Sequence, residues 1–385
     1  MARLTKNLLV ASCFVALAAL AFAQEAHDHH DHEGHTHAEE EHAGHSHEGH
    51  AHGGPESAED CLSYVVEDYN IGLRVGSIFI ILAATAIGVY VPMLLHRIKP
   101  NAQSAVRNWI LTVAKFFGTG VILAVAFIHM IPEALERFES PCLTSGWHSY
   151  HAFPGLFALI AVFLVQIIEL AMLTHMEKRK QAQAAAQANA QSAKLQDVET
   201  VSSVCNKGDH NGQEHASSTF ETNAQSKDIG TIVLELGIVM HSVIIGITLG
   251  TAGSDAFTTL LIALVFHQFF EAIALGTRLN EMHFTSFRKP FLMALAFCLT
   301  TPVGVAIGIG INLTLNPYSQ SATLAQGILD SLAAGILLYS AFVSLICAEI
   351  NHSTSFLRSS FGYKLVCLVS MYIGAALMAL LGKWA

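Results

Sequence analysis

His241-Ser242-Val243-Ile244-Ile245-Gly246 and His267-Gln268-Phe269-Phe270-Glu271-Ala272 lie in the middle of two neighbouring apolar stretches, 229–251 and 256–278. Each stretch is long enough to cross hydrocarbon as a helix. Ionisable side chains at that depth are costly, and by default they mark an ion or substrate pathway. His267 and Glu271 are four apart and share one helix face. Imidazole nitrogen beside carboxylate oxygen suits a divalent transition metal, zinc first, then iron or manganese. A short connection around Gly253–Asp255 makes the two helices antiparallel neighbours, so their mid-depth positions can meet. His241, His267 and Glu271 then supply three ligands, with Ser242, Gln268 or water completing the shell. A lone intramembrane His more often bonds helix to helix, but two at matched depth weaken that alternative. Glu235, nearly two turns before His241, is either an exit ligand or half of a structural pair.

Working outward, the mean hydropathy is +0.46 and 13% of the 385 residues are charged, far from a soluble globular average. Apolar stretches of spanning length recur at about 71–95, 107–131, 152–174, 229–251, 256–278, 290–313, 326–348 and 361–382. The expected fold is all-α, a polytopic membrane protein built as a bundle of eight transmembrane helices. Residues 1–23 are separate: Arg3 and Lys6 precede an apolar core, Leu8 to Leu20, followed by Ala21-Phe22-Ala23. That is the pattern of a cleaved secretory signal peptide, with a short uncleaved anchor as the alternative. Cleavage starts the mature chain near Gln24, on the non-cytoplasmic side. Charge agrees. With residue 24 outside, the cytoplasmic loops hold Arg97, Lys99, Arg107, Lys178, Arg179, Lys180, Lys194, Lys207, Lys227, Arg278, Arg288, Lys289, Arg358 and Lys364, and the outer loops essentially Arg137. The positive-inside rule therefore places both termini on the non-cytoplasmic side.

Residues 24–70 form a His/acid-rich tail. Positions 24–60 carry eleven acidic residues and no Lys or Arg, and eleven histidines fall between His27 and His52. Without apolar periodicity this segment is expected to be disordered. Its alternating His, Asp and Glu offer many weak, poorly selective sites for zinc, copper or nickel. The tail either captures metal at the membrane surface or is a solvated acidic segment that binds metal incidentally. The net charge of −10 argues for attraction of cations and against nucleic acid as a partner. A second break, 175–228, reads as a variable cytoplasmic loop between spans one to three (71–174) and spans four to eight (229–385). Its QAQAAAQANAQSAK stretch suits a transient helix, and GDHNGQEHASS looks disordered. His175, His210 and His215 hold metal there or belong to a plain linker. Of seven cysteines, Cys13 leaves with the signal peptide. Cys61 and Cys142 fall on the oxidising side, paired or free, since spacing does not fix connectivity. Cys205, Cys298, Cys347 and Cys367 read as a cytoplasmic thiol and small packing residues.

Span two ends Phe127-Ile128-His129-Met130-Ile131-Pro132-Glu133-Ala134. Pro132 frees a backbone carbonyl and bends the helix near the surface. His129 and Glu133 face one side, as an entrance site or a helix end in contact with water. Glu169 in span three has no obvious basic partner. Gly118, Gly120, Gly304, Gly308, Gly310 and Gly335 mark close helix approach. No phosphate-binding loop is present.

These residues resemble the ZIP family, the Zrt- and Irt-like zinc and iron transporters. The likeness covers about residues 70–385 and rests on HSVIIG and HQFFEAIALG, with GTGVILAVAFIHMIPEA resembling the family's second-helix motif. It implies eight spans, a multi-pass location in the plasma membrane or else an organelle membrane, and carriage of a divalent ion, zinc or else iron or manganese, into the cytosol by alternating access. On this reading the metal is cargo and no cofactor is required. By position, His241, His267 and Glu271 become the transport ligands, with Ser242 and Gln268 beside them. Ile245 and Gln268 stand where some members carry carboxylates, which argues against a two-metal centre, and the pattern with Ser242 and Ile245 is nearer the plant and fungal-like branch. A homodimer is implied by the family alone.

Three rivals stay open. An intramembrane metallohydrolase needs a bound water and a positioned general base, and no His-Glu-x-x-His pattern appears, so no enzyme is expected. A metal exporter and a membrane metal sensor differ from a carrier into the cytosol in the direction or the absence of flux.

Overall fold

Apolar runs too long for a globular core, separated by polar turns, fold here into a bundle of helices. In the computed structural model the chain is described over residues 57–59, 61, 68–97, 105–198, 213–282, 288–351 and 353–384. The signal peptide, nearly all of the His/acid-rich tail, Cys205 and His210 lie outside these residues. Among the described residues there is no strand. Eight helices there are long and apolar enough to cross a membrane: α1 (Ile71–Arg97), α2 (Val106–Glu139), α3 (Phe153–Asn189), α4 (Asp228–Thr251), α5 (Ser254–Leu279), α6 (Arg288–Thr314), α7 (Gln320–Asn351) and α8 (Phe361–Leu381).

Two spans outrun their apolar stretches. α2 continues past residue 131 to Glu139, and α7 starts at Gln320 rather than 326. The added turns carry Glu133, Glu136 and Arg137, and Gln320, Ser321 and Thr323, so hydropathy stops short where the helix does not. The expected loop 175–228 is also largely helical. The third helix runs on to Val198 and the fourth begins at Gln213. The Ala- and Gln-rich sequence 181–193 has strong intrinsic helix preference and an existing helix to extend, which removes the cost of nucleation. Pro132 lies just after π-helical turns at Val125–Met130, and α7 ends in a second π-helical stretch, Ser340–Asn351. Such widened turns concentrate at functional sites.

The helices associate as two sets of four. α4 packs on α6, and α1 on both α5 and α6; α8 packs on α2, and α7 on both α3 and α2. The sets meet along α2–α5 and α4–α7. Consecutive α4 and α5 touch, but each has its main partner elsewhere. Glycine sets the closest approaches. A Cβ on Gly304 would lie 2.3 Å from the Val243 carbonyl oxygen, and one on Gly120 1.9 Å from that of Met371. Gly310 instead meets nothing within 4 Å, so its packing role is not realised. Outward faces carry Phe79, Ile87, Leu164, Leu292 and Tyr372 exposed, as a lipid-facing surface requires.

Cys61 and Cys142 form a disulfide, joining the segment before α1 to the connection after α2. The Asn316 amide, in the α6–α7 connection, donates to the Cys61 carbonyl. We call this the disulfide end. Nearby, Arg74 of α1 is 2% exposed and bonds no carboxylate among the described residues. It donates to the carbonyls of Leu249 (3.2 Å) and Ala252 (2.7 Å), the open acceptors where α4 ends. Its guanidinium also lies 3.9 Å from the Tyr69 ring centroid and 4.5 Å from that of Phe257. Arg74→Ala is therefore expected to destabilise the fold by about 2–4 kcal/mol. Thermal unfolding of detergent-purified protein checks this, and an unchanged midpoint would contradict it.

Candidate metal centre

α4 and α5 bring His241, His267 and Glu271 together at mid-length. Their side chains are 0%, 1% and 1% exposed. His241 Nε2 lies 3.2 Å from His267 Nε2. Glu271 Oε1 lies 3.6 Å from His267 Nε2 and 4.0 Å from His241 Nε2. One donor atom from each falls within 4.8 Å of the others. A tetrahedral zinc with ligands at 2.0–2.1 Å separates its donor atoms by about 3.3 Å, so the three are close to that spacing already. Among the described residues, Nδ1 of both imidazoles and both Glu271 oxygens lack a hydrogen-bond partner. Buried polar atoms left in that condition are costly. A cation held between the converging Nε2 atoms and Glu271 would satisfy the carboxylate, while the two Nδ1 atoms lie across each ring from it.

The surroundings divide into near and remote groups. Gln268 Nε2 donates to Ser242 Oγ at 3.4 Å, so these two engage each other, and Gln268 Oε1 is left without a partner. His129 of α2 approaches the trio from the other helix set. Its ring stands edge-on to His267 with centroids 4.9 Å apart, and its Nε2 donates to the Met378 carbonyl of α8 at 3.2 Å. His129 and Glu133 line a cavity of about 570 Å³ that reaches from Ser140, Gly253 and Pro317 at the disulfide end down to His241 and His267. Glu235 lies apart, half-buried on α4 and about 9 Å from His241 along the axis at 1.5 Å per residue. Glu169 has a partner that charge counting misses: the Tyr339 hydroxyl donates to its Oε2 at 2.7 Å.

The sequence profile of the family "ZIP Zinc transporter" matches residues 71–382. This chain belongs to the ZIP zinc transporter family. It is 33% identical to zinc-regulated transporter 1 of Candida albicans over 321 residues, covering 83% of this chain and 63% of that protein. It is 35% identical to zinc transporter 3 of Arabidopsis thaliana over 314 residues, 81% of this chain and 84% of that one. Against Fe(2+) transport protein 1 of Arabidopsis thaliana the figures are 33% over 340 residues, 86% and 90%.

At the end away from the disulfide, this ZIP protein is closed by ions that the sequence reading missed or misplaced. Lys115 of α2 bonds Glu281, just after α5, at 2.7 Å and also bonds Glu349 of α7. Arg278 of α5 bonds Glu349 at 3.1 Å, Glu281 at 3.4 Å and the Thr119 hydroxyl of α2 at 2.6 Å. Lys115, Thr119 and Glu349 come from one helix set, and Arg278 and Glu281 from the other. Arg278, counted above as a loop charge, is 3% exposed. The two cations and two carboxylates thus lock the sets together at one end, while the cavity parts them at the other. Asp330 of α7 also escaped notice. It is 0% exposed, and neither of its oxygens has a hydrogen-bond partner among the described residues.

Proposed function

We propose that this ZIP protein is a secondary carrier that moves a divalent metal, zinc foremost, into the cytosol through His241, His267 and Glu271 by alternating access. The observation that carries this reading is the buried, unsatisfied donor trio at the foot of a cavity whose far side is sealed by ion pairs. The names of the related proteins supply zinc and iron as cargo, and zinc suits two imidazoles with one carboxylate. A disulfide forms in an oxidising compartment, which supports an orientation with the cavity mouth and both termini outside and the ionic seal at the cytosol. This agrees with the positive-inside distribution and a plasma-membrane location.

On this reading the ion enters past Glu133 and His129 and exchanges water for imidazole and carboxylate at the trio. A single anionic ligand leaves the bound ion with net positive charge, so binding stays moderate and release is feasible. The two helix sets then move against each other: the cavity closes, and the Lys115–Arg278–Glu281–Glu349 lock opens toward the cytosol, with Glu235 on the release side. Ser242 and Gln268, bonded to each other, position their helices and are available as further oxygen ligands.

Cells displaying the chain at their surface are expected to accumulate isotopic zinc saturably above vector controls. Loss of preloaded zinc instead would establish an exporter, and binding without flux a sensor.

A further inference from the structure

A positive charge stands in the path of the cation. Arg137, two turns above His129 on α2, lines the cavity. Its Nη2 bonds Glu133 Oε1 at 3.3 Å and Thr248 Oγ1 of α4 at 3.2 Å. As long as it stays there, Glu133 is shielded from an incoming metal, and a dication meets electrostatic repulsion in a narrow, poorly screened space. Facing it on α7 is the opposite imbalance. Thr323, Gln326 and Asp330 are spaced to share one helix face. Thr323 and Gln326 line the same cavity. Thr323 Oγ1, Gln326 Oε1 and both Asp330 oxygens are buried without a hydrogen-bond partner among the described residues. The charged groups whose fields reach Asp330 are Glu133 and Arg137. The stem of Arg137 runs directly over this helix, at a glycine: a Cβ on Gly327 would lie 3.1 Å from Arg137 Cβ.

A buried, unpaired carboxylate is expensive, and so is a fixed cation in a cation's route. One movement resolves both. We propose that Arg137 is a tethered counter-ion that moves from Glu133 to Asp330 when a divalent metal arrives, surrendering Glu133 to the metal. A guanidinium suits the task, with a permanent charge and five donors able to meet the carboxylate and the neighbouring Gln326 oxygen. In the exchange Arg137 leaves one carboxylate as the metal takes it and pairs with another, so that each cation has an anionic partner. It rests on the reading of the cavity as the uptake route.

The test uses purified full-length protein and zinc ion, following the association rate by stopped flow, beside uptake normalised to surface amount. Asp330→Asn leaves the guanidinium without a destination. Zinc association is expected to slow about tenfold, and the apparent KM to rise by about as much, with the maximal rate largely kept. Arg137→Gln alone is expected to associate zinc no more slowly than wild type. The double variant is expected to recover the wild-type rate within about twofold, because no ion need be displaced. Rescue in the double variant is the signature. If Asp330 were a direct ligand for the hydrated ion, or the two residues merely held α2, α4 and α7 together, removing Arg137 would not restore the rate. Failure of rescue, or an unimpaired Asp330→Asn, overturns the exchange. Wild-type protein that binds zinc with this pattern but moves none would sink the transport reading and leave the exchange standing.

Discussion

Glu271→Gln is expected to lower zinc uptake, measured well below saturation and normalised to surface amount, by at least about 100-fold. The substitution keeps the volume of a side chain that is 1% exposed and removes the trio's only negative charge. Two neutral imidazoles cannot repay the loss of a dication's water shell in a low-dielectric interior. Gln268 is no substitute, since its amide oxygen carries no charge. Losing even an outer-shell partner of a metal site costs about 10- to 100-fold, and Glu271 is proposed as a direct ligand. Uptake within a factor of two of wild type would remove Glu271 from the pathway.

Glu349→Gln is expected to act at the other end, and through populations instead of ligands. It breaks the bonds from Glu349 to Lys115 and Arg278, leaving Glu281 to serve both cations. Stripping one partner from a buried ion pair costs about 3–5 kcal/mol, here taken from the state closed at the end away from the disulfide. A protein whose binding-competent state is depleted shows a weakened apparent affinity in proportion. The apparent KM for zinc is therefore expected to rise at least about tenfold. Since the trio is untouched, this should occur without a change in metal preference in a zinc-against-iron competition. An unchanged KM would mean that the ions only tidy the helix ends.

What the sequence discloses follows from which forces are local. Hydropathy along the chain registers the cost of placing backbone in lipid, so all eight spans are legible, as is the His267/Glu271 face set by a four-residue step. His241 joins them because matched depth on adjoining helices is also readable. Partner choice is not local. Nothing in α4 announces that α6, not α5, is its main neighbour; that choice depends on glycines at Gly246, Gly250, Gly304 and Gly308 meeting face to face. Charges near helix ends are likewise ambiguous. Arg278 looks like a loop residue until the fold buries it against Glu349, and Arg137 looks like a stray outer charge until it is seen holding Glu133. Asp330 lies in a stretch apolar enough to read as plain span, and only its unsatisfied burial singles it out. Helices outlast their apolar runs because the backbone bonds of α2 and α7 continue through polar turns that front the cavity, where water replaces lipid.

The most direct test of the central claim is zinc flux by the purified chain alone. The protein is reconstituted into liposomes holding a fluorescent zinc chelator, and wild type is compared with the His267→Ala, Glu271→Ala double variant at equal protein content. Saturable filling by wild type and none by the double variant is the result expected if this trio is the crossing point. Equal filling by both would show that the ion crosses elsewhere.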